Sequence, residues 1–178
     1  MTWFAANNSC RELGGKLVEI DSEEEERALV TEINRRGYTE ANINFWMGFT
    51  DLDVEGDWLL QSNGLKPDYT NWAEDQPDDY WKPADCARLR TGRFKAWQWS
   101  KGWYDFSWSG WSDIPCEKKF VQNNGYPEVF LQALCELYPL TSSSTEATTV
   151  TEATTTVETA TQSGRVNGQS AITVGGKS

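Results

Sequence analysis

The chain contains no histidine. That absence removes the commonest general base, the catalytic triads built on it and most zinc sites. Basic residues are few beside acids, 16 against 27 in 178 residues, leaving a formal net charge of −11. Nucleic acid is a poor partner for such a chain, because phosphate binding needs a basic footprint, and anionic membrane surfaces are disfavoured for the same reason. There is no apolar run long enough to span a bilayer and no visible signal peptide. No CxxC pair occurs among Cys10, Cys86, Cys116 and Cys135, which argues against zinc and thioredoxin chemistry. Their even number and wide spacing point to two disulfides in an oxidising compartment. Four cysteines allow three pairings, and spacing alone does not choose.

What is present is apolar residues enough for one sizeable core, at 38% of the chain, together with ten tryptophans. Ten are too many to bury comfortably in a chain this small, so some are expected to face a ligand or partner. The acidic excess suits calcium, a hard cation that takes 6–8 oxygens. Trp3, Ala6, Cys10 and Leu13 fall at helical spacing and Gly14-Gly15 supplies a stop. The stretch 16–20, KLVEI, reads as a strand. Ser22 opens a second helix with Glu25 as its capping-box partner, Leu29 and Ile33 on its buried face, and Arg35-Arg36-Gly37 at its end. From FWMGF (45–49) the period changes to short apolar runs between turn signals, which reads as strands and ordered loops. Two helices followed by a loop-rich β region argue for an α+β domain.

After about Leu140 the composition shifts to Thr, Ser, Ala, Glu and Val, with a degenerate TEATT repeat. Such a segment buries too little apolar surface to fold. It reads as a disordered tail over 137–178, either a plain polar linker or a mucin-like O-glycosylated stalk. Asn7-Asn8-Ser9 is a glycosylation sequon within the first helix.

An ordered set of pieces then resembles the C-type lectin-like domain: W…A…C before GGKLVEI, followed by FWMGFTD, EGDW, YTNW, QPDD, DC, WSDIPC, FV and CE. The match covers residues 1–136. The resemblance implies a double-loop α+β fold with two helices packed on antiparallel strands and a long calcium-binding loop region. The strand that precedes the first helix in the family is missing here, which reads as N-terminal truncation. Family pattern pairs Cys86 with Cys116, and Cys10 with a cysteine on the last strand. Phe120-Val121 is followed by Gln122, and the pattern resumes at Cys135-Glu136. We therefore expect an insertion at about 122–134 and a Cys10–Cys135 bridge.

Site residues also carry over by resemblance. Gln76 and Asp78 flank the motif proline, which the family holds cis, and match ligands of the principal calcium. The next ligand position is Ala84, which cannot coordinate. Ser112 stands where the family has an amide, and Asp113 keeps its acid. Asp51, Glu55, Asp79 and Asp85 match the four acids of an auxiliary calcium; in so acidic a chain, four loop acids also arise by chance. Two W-x-D triplets compete for the last ligands, Trp103-Tyr104-Asp105 and Trp111-Ser112-Asp113; the second is preferred because Ile114-Pro115-Cys116 follows it. The QPD order resembles the galactose type, and Trp81 or Tyr80 is placed to stack on a sugar face. Trp46, Trp58 and Trp72 match core positions. Trp97, Trp99, Trp103 and Trp108 alternate with polar residues, in either a ligand surface or an added hairpin.

The expected function is extracellular, calcium-dependent binding of terminal galactose or N-acetylgalactosamine on glycans, in recognition, innate immunity or adhesion, by a secreted protein. Clustering of several sites would supply avidity to shallow single sites. The alternative is a module of the same fold that has lost sugar binding, for which Ala84 and Ser112 speak, and that binds a protein partner. Paired acids hydrolyse glycosides elsewhere, but none here sits in a recognisable catalytic motif, so no enzyme is expected.

Overall fold

Thr2 starts the first helix, α1 (Trp3–Glu12), by accepting the Ala5 N–H on its hydroxyl at 3.2 Å. The apolar spacing buries Trp3, Ala6 and Cys10 on one face, and the positive φ of Gly14 follows its end. Strand β1 is short, Gly15–Leu17, so the expected KLVEI strand ends early. Val18 still donates to Leu134 O and accepts from Gly48 N. Ser22 caps α2 (Glu23–Arg35) through Glu25 N, while Glu25 returns its carboxylate to Asp21 N. The computed structural model describes residues 1–38, 43–80, 82–98, 102–121, 129–138, 163–166 and 169–175. Over 93–98, 102–108, 120–121, 129 and the last two segments it describes the backbone alone.

The remaining strands are β2 (Ile43–Thr50), β3 (Leu59–Leu60), β4 (Cys86–Gln98), β5 (Gly102–Ile114), β6 (Phe120–Val121), β7 (Val129–Leu137), β8 (Ser163–Val166) and β9 (Gln169–Gly175). They form one sheet in the order β5-β4-β2-β7-β9-β8, with β1 and β6 also on β7 and β3 on β2. The sheet is mixed rather than antiparallel throughout, because β2 and β9 both run parallel to β7. Strand β2 is buried on both faces. Trp46 packs with α1, Leu17 and Leu131, while Phe45, Met47 and Phe49 pack with Leu29, Ile33, Leu89 and Trp111. Period-two alternation thus divides the core between two faces of one central strand.

Cys10 is bonded to Cys135 and Cys86 to Cys116. Two boundaries differ from the sequence reading. Residues 129–134, placed there in the insertion, belong to β7, where Leu131, Ala133 and Leu134 are buried. Phe120-Val121 pairs antiparallel with Phe130 and Val129, so the extra residues lie between two paired strands rather than within the last one. The other difference is in the tail. Ser163–Val166 and Gln169–Gly175 are strands, where disorder was expected through 178. The polar repeat hides a strand signal that follows it, Ala171-Ile172-Thr173-Val174. Residues 122–128 and 139–162 lie outside the described residues.

Candidate functional site

Strands β4 and β5 pair in unbroken antiparallel register from Cys86↔Ile114 to Gln98↔Gly102. That register sets the two W-x-D triplets far apart. Asp113 lies opposite Ala87, beside the loop, whereas Asp105 lies opposite Lys95, roughly 27 Å further along the strand at ordinary strand rise. Trp97, Trp103 and Trp108 stand on this hairpin; Trp99 and Trp81 lie outside the described residues.

The loop from Tyr69 to Tyr80 is laid against β5 by its backbone. Trp111 N donates to Asn71 O at 2.8 Å and Ala73 N to Trp111 O at 2.9 Å. Aromatic rings fill the space beneath: Trp111 is fully buried and meets Phe49, Tyr69 and Trp72, and Trp72 meets Trp58. The Gln76–Pro77 bond is cis. Past it, Asp113 fastens the turn to the strand: Asp78 N donates to its Oδ1 at 3.2 Å and Asp79 N to its Oδ2 at 2.6 Å. Asp113 is 5% exposed, and each of its carboxylate oxygens accepts one loop N–H.

A cavity of about 120 Å³ opens at this junction, lined by Gln76, Asp78 and Tyr80 from the loop and by Arg88, Arg90, Ser112 and Asp113 from the hairpin. Asp78 Oδ1 accepts from Tyr80 N at 3.1 Å, and the Tyr80 ring is exposed. The structure therefore brings together Gln76, Asp78, Tyr80, Ser112 and Asp113. Ala84 is buried and its N–H goes to Asp79 Oδ1 at 3.1 Å. The Ser112 hydroxyl is taken by Arg88 Nε at 2.8 Å. With alanine for an acid, a hydroxyl engaged by a guanidinium, and each Asp113 oxygen already accepting one backbone N–H, the residues here are a poor fit for a calcium ion.

The auxiliary acids are a better fit. Asp51 is buried, its N–H donates to Asp85 O at 3.2 Å, and its Oδ2 accepts from Gly56 N at 2.8 Å. Its Oδ1 is buried without a hydrogen-bond partner. Burial first, then Glu55 and Asp85, push the Asp51 carboxyl up to about 6. Burial and Asp79 raise Asp85 as well. Asp79, by contrast, is lowered by Lys82, whose ammonium is 2.9 Å from Asp79 Oδ2. Among the described residues no three acids close on one point as a finished cage. The orphaned oxygen and the mutual repulsion are still what a cation would relieve.

Two residues that matter here are absent from the sequence reading. Glu26, 2% exposed, accepts from Tyr69 Oη (3.0 Å), Asn71 Nδ2 (2.8 Å), Ser109 Oγ (2.5 Å) and Trp111 Nε1 (3.2 Å). It ties α2 to both the loop and β5. Its signal was its place on the stripe Glu26, Leu29, Val30, Ile33, where a charge among apolar residues marks a buried role. The second is Arg88, which alternates with Ala87 and Leu89 and so shares a face with Arg90 and the loop.

The Lectin C-type domain model matches residues 1–121. A perlucin-like protein of Mytilus galloprovincialis is 32% identical over 64% of this chain and 62% of its own length. Perlucin of Haliotis laevigata is 32% identical over 67% of this chain and 76% of its own. The chain spans 62%, 24% and 40% of the first curated relatives it matches, the others being a mouse low affinity immunoglobulin epsilon Fc receptor and a mouse CD209 antigen-like protein D. Among solved structures, the human scavenger receptor C-type lectin carbohydrate-recognition domain superposes with a TM-score of 0.50 at 25% identity, over 66% of this chain and 77% of that one.

Proposed function

The chain belongs to the C-type lectin domain family, whose members bind carbohydrate without turning it over, and from that premise we propose that it recognises terminal sugars of glycans in an extracellular setting. The observation that carries this reading is the convergence of Gln76 and Asp78 with Ser112 and Asp113 on one cavity. Gln76 offers an amide donor and acceptor and Asp78 a carboxylate, an order that favours galactose-type hydroxyls. Tyr80, 76% exposed, supplies an aromatic face for the sugar's C–H side, and Trp81 follows it in the chain. Calcium acts one step away: Asp51, Glu55, Asp79 and Asp85 would hold it, and the ion would remove their repulsion and stiffen the loop. Secretion, adhesion and immune recognition suit a chain with two disulfides. No helix among the described residues is long and apolar enough to cross a membrane.

A second reading, a module that has given up sugar for a protein partner, is favoured by buried Ala84 and by Ser112 held on Arg88. Retention of the full chain on immobilised galactose separates the two. The first reading predicts retention that free galactose reverses and that a chelator weakens. Flow-through on galactose, mannose and acidic-sugar resins alike, together with a calcium-dependent gain in thermal stability, would leave the second.

A further inference from the structure

Arg88 carries a formal charge into the protein interior. Its residue is 8% exposed, and its one partner among the described residues is the Ser112 hydroxyl. No carboxylate oxygen among the described residues lies within ion-pair distance of it. Burial is the first cause that pulls its guanidinium down to about 10, with Arg90 adding like-charge repulsion and Asp113 opposing both. Arg90, on the same face two residues on, is also drawn down by burial. A buried cation with no carboxylate at ion-pair distance is an expensive arrangement, and an anion from outside in direct contact would relieve it. The cavity both arginines line is also the one holding Gln76 and Asp78. At about 120 Å³ it is smaller than pockets that enclose a whole ligand, and it suits one substituent of a sugar ring.

We propose that Arg88 stands where the principal calcium is expected, and that the cavity takes an acidic sugar, one bearing a carboxylate or a sulfate ester, through charge-assisted hydrogen bonds to Arg88 and Arg90 with no metal between. This rests on the glycan-binding reading and narrows its ligand. The planar guanidinium suits both anions, because its fork of N–H donors matches paired oxygens. Gln76 and Asp78 read the neighbouring hydroxyls, so the acidic group supplies the attraction and the loop the selectivity. The chain's net negative charge would hold non-specific anion binding low.

The test is calorimetric titration of the full chain with galactose, galacturonic acid and galactose 6-sulfate, each in chelator and in calcium. The expected result is that at least one acidic sugar binds tenfold or more tightly than galactose in chelator, with an affinity that falls as salt rises. Binding of galacturonic acid alone assigns a carboxylate, and of the sulfate alone an ester. Arg88→Met keeps the volume without the charge and is expected to lose the acidic preference; Arg88→Gln keeps a donor for Ser112 should the methionine variant not fold. Equal binding of neutral and acidic sugars, or binding of both only in calcium, overturns the proposal and leaves glycan recognition standing. No binding of any sugar in either buffer removes the glycan reading as well.

Discussion

Asp51 shows what one residue contributes. It has one carboxylate oxygen held by Gly56 and the other buried alone. Its folded value of about 6 lies above the ordinary 3.8, so the folded chain binds that proton more tightly than the unfolded chain. Its contribution to stability is then complete at low pH and is lost as pH rises from about 4 to about 6. In chelator, we predict that rising pH through this window removes on the order of 2 kcal/mol of stability. Thermal melts at several pH values read it. Asp51→Asn should flatten that dependence and raise stability in chelator at pH 7. An asparagine variant less stable than the parent under those conditions would contradict the account. In calcium the order should reverse, because the variant has lost a hard ligand.

At the scale of elements, Glu26 joins three pieces that share no covalent neighbourhood: α2, the Tyr69–Asn71 loop segment and β5. Glu26→Ala leaves four donors without an acceptor. We predict a loss of about 3 kcal/mol in chemical denaturation and weaker sugar binding, although Glu26 does not line the cavity. A variant with unchanged stability would show that the donors find water instead. The edge of β7 makes a second case. Strand β9 pairs with it from Ala133↔Ala171 to Leu137↔Gly175. A chain cut after Tyr138 bares that edge, and open edges recruit other strands. Light scattering should then show concentration-dependent association in the shortened chain and little in the full one.

The helices were legible because capping and apolar spacing are local: Ser22, Leu29 and Ile33 did what their spacing announced. Strand β7 was not, because Val129–Leu137 gains its place from partners far away in sequence, β1, β2 and β9. The site divides the same way. Gln76, Asp78, Ser112 and Asp113 follow from motif order. That Arg88 fills the space beside Ser112 follows only from the β4–β5 register, which pairs those two residues.

Across the whole molecule, two disulfides set the frame for the loop. The Cys10–Cys135 bridge spans 125 residues and the Cys86–Cys116 bridge 30. By chain entropy the first contributes about 5 kcal/mol and the second about 4. Replacing Cys10 and Cys135 together by alanine should lower the midpoint of denaturation more than replacing Cys86 and Cys116. The second pair should cost more in binding, since β4 and β5 carry the cavity. A reversed order would mean that the loop, not the frame, dominates stability. The frame, the stapled loop and the cavity together describe recognition without chemistry. The most direct test of that claim is binding of the full chain to a panel of immobilised neutral and acidic glycans, beside an Asp78→Ala variant of equal thermal stability. The account predicts that the parent binds a defined subset of the glycans and that the variant loses it. A parent that binds none of them, or a variant that binds as well as the parent, would contradict it.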